Sequence, residues 1–378
     1  MIEISGKYAK AKIFTDSIEP SAEGQIRVLC DRSFAEGSSI RVMPDVHAGK
    51  GSTIGTTMTI GDHVVPAMVG VDIGCGMETV KLKEKRLNLP ELDSFIRKNI
   101  PSGREVRERP HRGHGRIDVG ELRCVGKLDT RRAEKSLGTL GGGNHFIEVG
   151  KDDDGTLYLV IHSGSRNIGL QVANYYQDIA YKAAGGREQK EVPYELATVY
   201  GKDLDHYLHD MSLMQRFAEI NRQIMTEVIL DGMKLKEDSC FTTVHNYIDL
   251  DARILRKGAV SAKQGETLLI PINMRDGSLI CTGLGNADWN FSAPHGAGRL
   301  MSRTEAEKTF TLSAFKKEMD GIFTTSVSRE TLDECPMAYK PMDDIVKHIG
   351  ETVTIDKTIR PIYNFKASEN GGFRKRRS

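Results

Sequence analysis

The sequence predicts an α+β fold in which strands and helices share one intertwined domain, and three observations carry that prediction. Short β-like runs broken by glycine and proline fill the first 80 residues and return beyond residues 145 and 240. Between 200 and 236 one segment repeats Leu213, Phe217, Ile220, Ile224 and Val228 at three-to-four-residue intervals, which lines one face of a long helix. Histidine-bearing segments are spread from residue 45 to residue 295 with no linker between them, which favours one domain built around a shared cleft.

Taken in order, Met1 to about Val80 reads as strands and turns, with "AKIFT", "IRVMPDVH", "GTTMTI" and "VVPAMVGVDI" as the strand-like runs. From Leu87 to Arg123 the composition turns polar and basic, predicting a short helix and then an exposed basic loop that carries His111 and His114. Strands return at "HFIEVG" and "TLYLVIHSGS", and after the long helix at "CFTTVHNYIDL", "GETLLIPINM" and "GSLICTGLG". "SRTEAEKTF" reads as a helix start with Thr304 as the cap and Glu307 three residues on. The domain is expected to span residues 1–366, and the polar, basic "ASENGGFRKRRS" over 367–378 is expected to be a disordered tail.

With 53 basic and 52 acidic residues the net charge is +1, which excludes a globally basic nucleic-acid coat. A polyanion site must then be a local patch. Six cysteines (30, 75, 124, 240, 281, 335) without paired spacing or a signal peptide argue for the reducing cytoplasm. No apolar stretch is long enough to span a bilayer, so no membrane partner is expected. Tyr247 and Trp289 have the flat faces that stack on bases, but aromatic residues are more often core.

Five histidines share a setting of strand end or neighbouring glycine: His47 in "PDVHAGKG", His145 in "GGGNHF", His162 in "VIHSGSR", His245 in "TTVHNY" and His295 in "APHGAGR". Strand ends feeding glycine loops are where sites are built. Asp72 and Cys75 in "VDIGCGM" would add a carboxylate and a thiolate to the imidazoles, a donor mixture suited to divalent transition metals. The glycine runs can aim backbone N–H groups at an anion, and Arg166, Arg299 and Arg303 could clamp phosphate oxygens. Together these features suggest metal-assisted phosphoryl transfer.

"MPDVHAGKG", "VGVDIGCGM", "GGGNHF", "HSGSR", "VHN" and "HGAGRLMSR", in this order, resemble the RtcB family of RNA-splicing ligases from about Met43 to Lys366. The resemblance implies a single large domain of mixed β-sheets flanked by helices around a metal and nucleotide cleft. It implies joining of RNA 2′,3′-cyclic phosphate or 3′-phosphate ends to 5′-hydroxyl ends, with GTP and two manganese ions. In that scheme His295 takes GMP from GTP, passes it to the RNA 3′-phosphate, and the 5′-hydroxyl then displaces GMP. Cys75 would bridge two ions, one completed by His162 and His245, the other by Asp72 and His145.

The same resemblance places Asn144, Glu148, Ser278, Tyr339, Lys366 and the Gly296, Ala297, Gly298 and Arg299 run around the nucleotide, with Glu148 reading guanine. Asp45 is implied to orient or deprotonate the 5′-hydroxyl, Arg166 to serve the phosphates in catalysis, and an archease-like activator is a possible partner. "IPINMRDGS" departs from the family pattern, with Asn273 where a pocket serine is expected and Arg275 where a glycine is expected. That departure, with the compact stretch between Cys75 and His145, suggests a branch that repairs particular broken RNAs rather than splicing tRNA. A cyclic phosphoesterase or a catalytically silent RNA-end binder on the same scaffold are the alternatives.

Overall fold

The computed structural model describes residues 1–186 and 192–367; the tail expected from 367 onward lies, after Ala367, outside the described residues. The strands are β1 (Ile2–Ser5), β2 (Lys10–Ile13), β3 (Ile40–His47), β4 (Ile54–Thr59), β5 (His63–Val64), β6 (Gly76–Leu82), β7 (Phe146–Lys151), β8 (Leu157–Ser163) and β9 (Val199–Tyr200). They continue as β10 (Glu237–Val244), β11 (Asn246–Asp249), β12 (Ile254–Lys257), β13 (Ala259–Ser261), β14 (Thr267–Asn273), β15 (Gly277–Gly283), β16 (Ser292–Pro294) and β17 (Val353–Lys366). The α-helices are α1 (Pro20–Cys30), α2 (Pro66–Val69), α3 (Leu89–Asn99), α4 (Ala133–Ser136), α5 (Arg166–Ala183), α6 (Gly201–Met233), α7 (Arg303–Thr309), α8 (Leu312–Glu318) and α9 (Met342–Ile349).

The α+β expectation holds. A six-stranded sheet runs β1-β2-β3-β4-β12-β11, mixed because β2 and β3 are parallel, and a seven-stranded antiparallel sheet runs β10-β6-β8-β7-β17-β15-β14. The helix α6 joins them. Its Met211, Met214, Phe217, Ile220 and Ile224 enter the core shared with the first sheet, while Met225 and Ile229 enter the core under the second. Burying each such side chain stabilises the fold by roughly 1.5–3 kcal/mol. Leu213 and Val228, the ends of the predicted stripe, are partly buried against the same core.

Three local expectations give way to the backbone. Of the run "VVPAMVGVDI" only Val64 lies in a strand, as the end of β5: Pro66 opens the single turn α2, Gly70 at φ 99° ends it, and the strand β6 starts only at Gly76. Cys75 therefore precedes a strand instead of ending one. The helix α1 escapes the strand reading because its inward residues, Ala22, Ile26, Leu29 and Cys30, are few and Gly24 dilutes them. The cap of α7 is Ser302, whose hydroxyl accepts from the Glu305 amide at 3.2 Å, two residues earlier than the Thr304 expectation.

"CFTTVHNYIDL" forms two strands in different sheets, β10 in the second and β11 in the first, and His245 is the joint between them. Its amide donates to the Cys75 carbonyl at 3.0 Å, and Gly74 donates to the Asn246 carbonyl at 2.8 Å. The stretch after α3 is also less free than a solvated loop: Arg112 and Arg116 pair with Asp231 and Glu227 of α6 at 3.1 and 2.6 Å. Much of its positive charge is spent on the protein itself.

Candidate active site

Antiparallel pairing brings four strand ends together at one end of the second sheet. β6 starts beside Cys75, β7 starts beside His145, β8 ends just after His162, and β10 ends beside His245. The side chains converge as two triplets that share Cys75: Cys75, His162 and His245, and Asp72, Cys75 and His145. Cys75 Sγ lies 3.2 Å from His162 Nε2 and 3.4 Å from His145 Nε2. His162 Nε2 lies 3.0 Å from His245 Nε2, and His145 Nε2 lies 2.9 Å from Asp72 Oδ2.

The donor chemistry fits divalent cations. His162 Nδ1 donates to the Asn144 carbonyl at 3.1 Å, which fixes the tautomer that turns the Nε2 lone pair inward. Burial, reinforced by neighbouring cationic groups, pushes His162 and His245 well below the usual imidazole range, so both stay neutral. Burial and the Asp72 charge push the Cys75 thiol well up, so its thiolate needs cations beside it. Asp72 shows the reverse: burial raises it, but the bond and charge of His145, the Arg166 guanidinium and the Cys75 thiol together outweigh burial and hold the carboxylate low.

Glycine is required here by contact. A Cβ on Gly164 would sit 2.1 Å from Asp72 Oδ1, and one on Gly76 would sit 2.3 Å from the Thr243 carbonyl where β10 closes on the cysteine. From below, the fully buried Arg222 of α6 donates to the Gly74 and Ser163 carbonyls, both at 2.9 Å, next to Cys75 and His162. Nothing in the local sequence marks Arg222 as part of the site.

His295 follows β16 and closes the row of rings, its centroid 4.9 Å from that of His245. Its Nδ1 lies 2.6 Å from Asp45 Oδ2, so a proton on Nδ1 leaves the Nε2 lone pair for the cleft. Asp45 is fully buried, and the same oxygen also accepts the His295 amide at 3.2 Å. Through Oδ2 Asp45 stands behind the imidazole and orients it, while its other oxygen, Oδ1, is buried without a hydrogen-bond partner among the described residues. Lys340 braces β3 on both sides of Asp45, donating to the Pro44 and Val46 carbonyls at 3.1 and 2.9 Å. Gly298, at φ 76°, has no room for a side chain, since a Cβ would sit 2.2 Å from the Asp45 carbonyl oxygen.

Beyond His295 opens a cavity of about 300 Å³. It is lined by Asn144, Glu148, Asn273, Ser278, Gly296, Ala297, Gly298, Arg299, Arg303, Tyr339 and Lys366, so the implied nucleotide set comes together. Glu148 and Asn364 face each other across β7 and β17, Asn364 donating at 2.8 Å, and burial pushes the Glu148 carboxyl up to about 8. Ser278 Oγ is buried at the wall without a partner among the described residues.

Glu334 is the member that sequence reasoning missed. It accepts from Tyr339 Oη at 2.6 Å and Lys366 Nζ at 2.8 Å, and pairs with Arg299 and Arg303 at 3.3 Å each. Burial works to raise its carboxyl, but Lys366, Arg303 and Arg299 together bring it to about 2. "TLDECP" holds no pattern that would have exposed it.

Asn273 lines the cavity, yet its side chain is occupied with the β14–β15 turn, accepting from the Arg275 and Asp276 amides at 2.9 Å each and donating to Asp276 Oδ2 at 2.8 Å. Arg275 pairs with Asp276 and Glu318 outside the cavity. Arg166 stands apart from Arg299 and Arg303, on the Asp72 and His145 side of the cluster. His47 touches the cavity wall, its Nδ1 held by the Asp45 carbonyl at 2.9 Å. Tyr247 and Trp289 are core residues, the first against Arg256 and the second stacked on Phe14 at 3.8 Å.

A family model described as tRNA-splicing ligase RtcB matches residues 33–122 and 107–367. An RNA-splicing ligase RtcB of Escherichia coli K12 is 34% identical over 379 aligned residues, covering 85% of this chain and 88% of that protein. A tRNA-splicing ligase RtcB of Aeropyrum pernix is 29% identical, covering 85% and 86%, and one of Thermococcus kodakarensis is 27% identical, covering 82% and 83%.

Proposed function

The chain belongs to the RtcB family, and from that premise we propose that it is an RNA ligase that uses GTP and two manganese ions to join a 3′-phosphate or 2′,3′-cyclic phosphate end to a 5′-hydroxyl end. The single observation that carries this reading is the placement of His295: one ring nitrogen is held by buried Asp45, and the ring lies between the two-triplet cluster and the cavity.

The chemistry follows from that placement. Asp45 holds a proton on Nδ1, so His295 offers the Nε2 lone pair to the α-phosphorus of GTP; the N–P bond forms as pyrophosphate leaves, and Asp45 stabilises the charge that develops on the ring. Once water has opened any cyclic end to a 2′-hydroxyl and a 3′-phosphate, the guanylate passes from Nε2 to the RNA 3′-phosphate, and the 5′-hydroxyl oxygen then attacks that phosphorus and expels GMP. Asp72, Cys75, His145, His162 and His245 would hold the ions, which supply neutralisation of phosphate oxygens when bound. The nitrogen and sulfur donors would bind zinc or copper more tightly by intrinsic affinity, so manganese rests on family membership. Glu148 suits guanine, whose N1–H and N2–H₂ groups need two acceptors, and Tyr339 offers the base a flat face. Arg299, Arg303 and Lys366 are held in reserve by Glu334 for an incoming triphosphate.

The test is sealing of two synthetic RNA strands, one ending in 3′-phosphate and one starting with 5′-hydroxyl, with GTP and manganese. The reading expects a joined product that depends on GTP and disappears in His295→Ala. Opening of a cyclic phosphate end without joining would favour the phosphoesterase reading, and strand binding with neither reaction would favour the silent binder.

A further inference from the structure

Two buried polar atoms on the cavity wall, apart from the metal-type cluster, have no hydrogen-bond partner among the described residues: Ser278 Oγ on β15 and Asn364 Oδ1 on β17. A hydroxyl can donate or accept, so Ser278 selects nothing by itself. An amide oxygen only accepts. Resting on the ligase reading above, we propose that Asn364 is a specificity-determining residue for the nucleotide base, its Oδ1 accepting one hydrogen of the guanine 2-amino group beside the two oxygens of Glu148.

Strand pairing puts these acceptors together. Asn364 stands opposite Glu148 in the β17–β7 register, and its Nδ2 donates to Glu148 Oε2 at 2.8 Å. That bond holds the carboxyl group and leaves the other end of the amide, Oδ1, with no donor. Asn364 is 1% exposed and Glu148 3%, so neither can turn to solvent. The backbone beside them is also tied, since the Asn364 amide donates to the Phe323 carbonyl at 3.1 Å and the Lys366 amide to Ser326 Oγ at 2.9 Å. A buried acceptor that lacks a donor costs free energy, and a ligand that brings an N–H recovers it.

Guanine carries three N–H hydrogens along one edge, one on N1 and two on the 2-amino group, which matches the two Glu148 oxygens and Asn364 Oδ1. Adenine presents its single amino group beside a ring-nitrogen lone pair, which would face an acceptor and be repelled. A wall built to receive an N–H rejects the analogue without it, because its own polar atoms are then left unpaired. The other polar groups nearby are engaged elsewhere. Asn273 is taken by the β14–β15 turn, and Lys366 Nζ and Tyr339 Oη both donate to Glu334, at 2.8 and 2.6 Å.

The experiment follows adduct formation on His295 by the full chain with manganese at about pH 8.5, where the Glu148 carboxyl, pushed up to about 8 by burial, is largely ionised. It compares α-labelled GTP with α-labelled N2-methyl-GTP, both at subsaturating concentration. The methyl group replaces one amino hydrogen and leaves N1–H and the other amino hydrogen for Glu148. Wild type is expected to react about tenfold faster with GTP. Asn364→Ala, its folding checked by thermal melting, is expected to react about tenfold more slowly with GTP than wild type does and to treat the two nucleotides alike within about twofold. Equal wild-type rates overturn the assignment, and that result needs no variant. A tenfold preference that persists in Asn364→Ala overturns it too, because Asn364 then does no more than prop Glu148. Failure of wild type to form any adduct with GTP would instead strike the ligase reading.

Discussion

The two halves of the cleft solve charge in opposite ways. Around Glu334 the protein is complete in itself, with one buried carboxylate against Lys366, Arg299, Arg303 and the Tyr339 hydroxyl. Around Cys75 it is not. There, imidazole nitrogens, a thiol and a carboxylate crowd within 4.8 Å of one another in each triplet, and the buried Nδ1 of His145 has no hydrogen-bond partner among the described residues. In the proposed ligase the first region would be a preformed receptor whose cations pass from Glu334 to the triphosphate. The second is a donor set that gains its stabilising charge only when cations arrive.

The sharpest break of that contrast is Cys75→Ser, which removes the shared ligand while changing little volume. It should lower GMP transfer to His295 by at least about 100-fold and cut bound manganese below two per chain, with the circular dichroism spectrum unchanged. Retained two-ion stoichiometry by elemental analysis would argue against a bridging role.

Next in size is Glu334→Ala, which leaves three cations around an emptied buried site and should destabilise the fold by about 3–5 kcal/mol in urea melts. The sign of the pH dependence follows from the same group. Its folded carboxyl titrates near 2, below the ordinary carboxylate value of 4.5, so its stabilisation is present above about pH 4.5 and fades as pH falls toward 2. Loss of stability only below pH 2 would contradict the pairing.

Adding metal separates the regions without mutation. Manganese at about 100 times its Kd should stabilise the wild-type chain by about 2.7 kcal/mol, and Cys75→Ser should forfeit most of that gain whereas Glu148→Gln keeps it. A gain equal in all three chains would place the ion elsewhere.

The smallest effect is on guanine reading. Burial holds Glu148 protonated below about pH 8, and only the carboxylate offers two acceptors to guanine. Each unit of pH below that value should weaken GTP binding by up to about tenfold, and Glu148→Gln should flatten the profile. A wild-type profile already flat between pH 6.5 and 8.5 would remove Glu148 from base recognition.

The same contrast explains what could be read from the chain. The Cys75 half announced itself because close approaches there leave no room for a Cβ, Gly164 against the Asp72 carboxylate and Gly76 against the Thr243 carbonyl, and Gly298 against the Asp45 carbonyl does the same beside His295. Such contacts write glycine beside the functional residue, and the motifs follow. In the Glu334 half only Arg299 and Arg303 lie in a distinctive run, "HGAGRLMSR"; the rest are single side chains on the 3₁₀ turn Arg329–Glu334, the loop to Tyr339 and the last residue of β17, none with a local signature. Arg222 was hidden for another reason, since at helical spacing it looks like one more surface cation on α6. The bond from Asp45 to the His295 ring could not be read, because burial behind a ring is a tertiary fact. In the fold, α6 was plain from its apolar period, while α1 and α2 were masked by glycine, by proline and by their few inward positions.

The central claim is that Nε2 of His295, freed by Asp45, is the nucleophile. Incubating the chain with manganese and α-labelled GTP, then mapping the labelled peptide, tests it directly. The account predicts an acid-labile, alkali-stable GMP on His295 that is absent in His295→Ala and formed more slowly in Asp45→Asn. Label on another residue, or label that survives in His295→Ala, would contradict it.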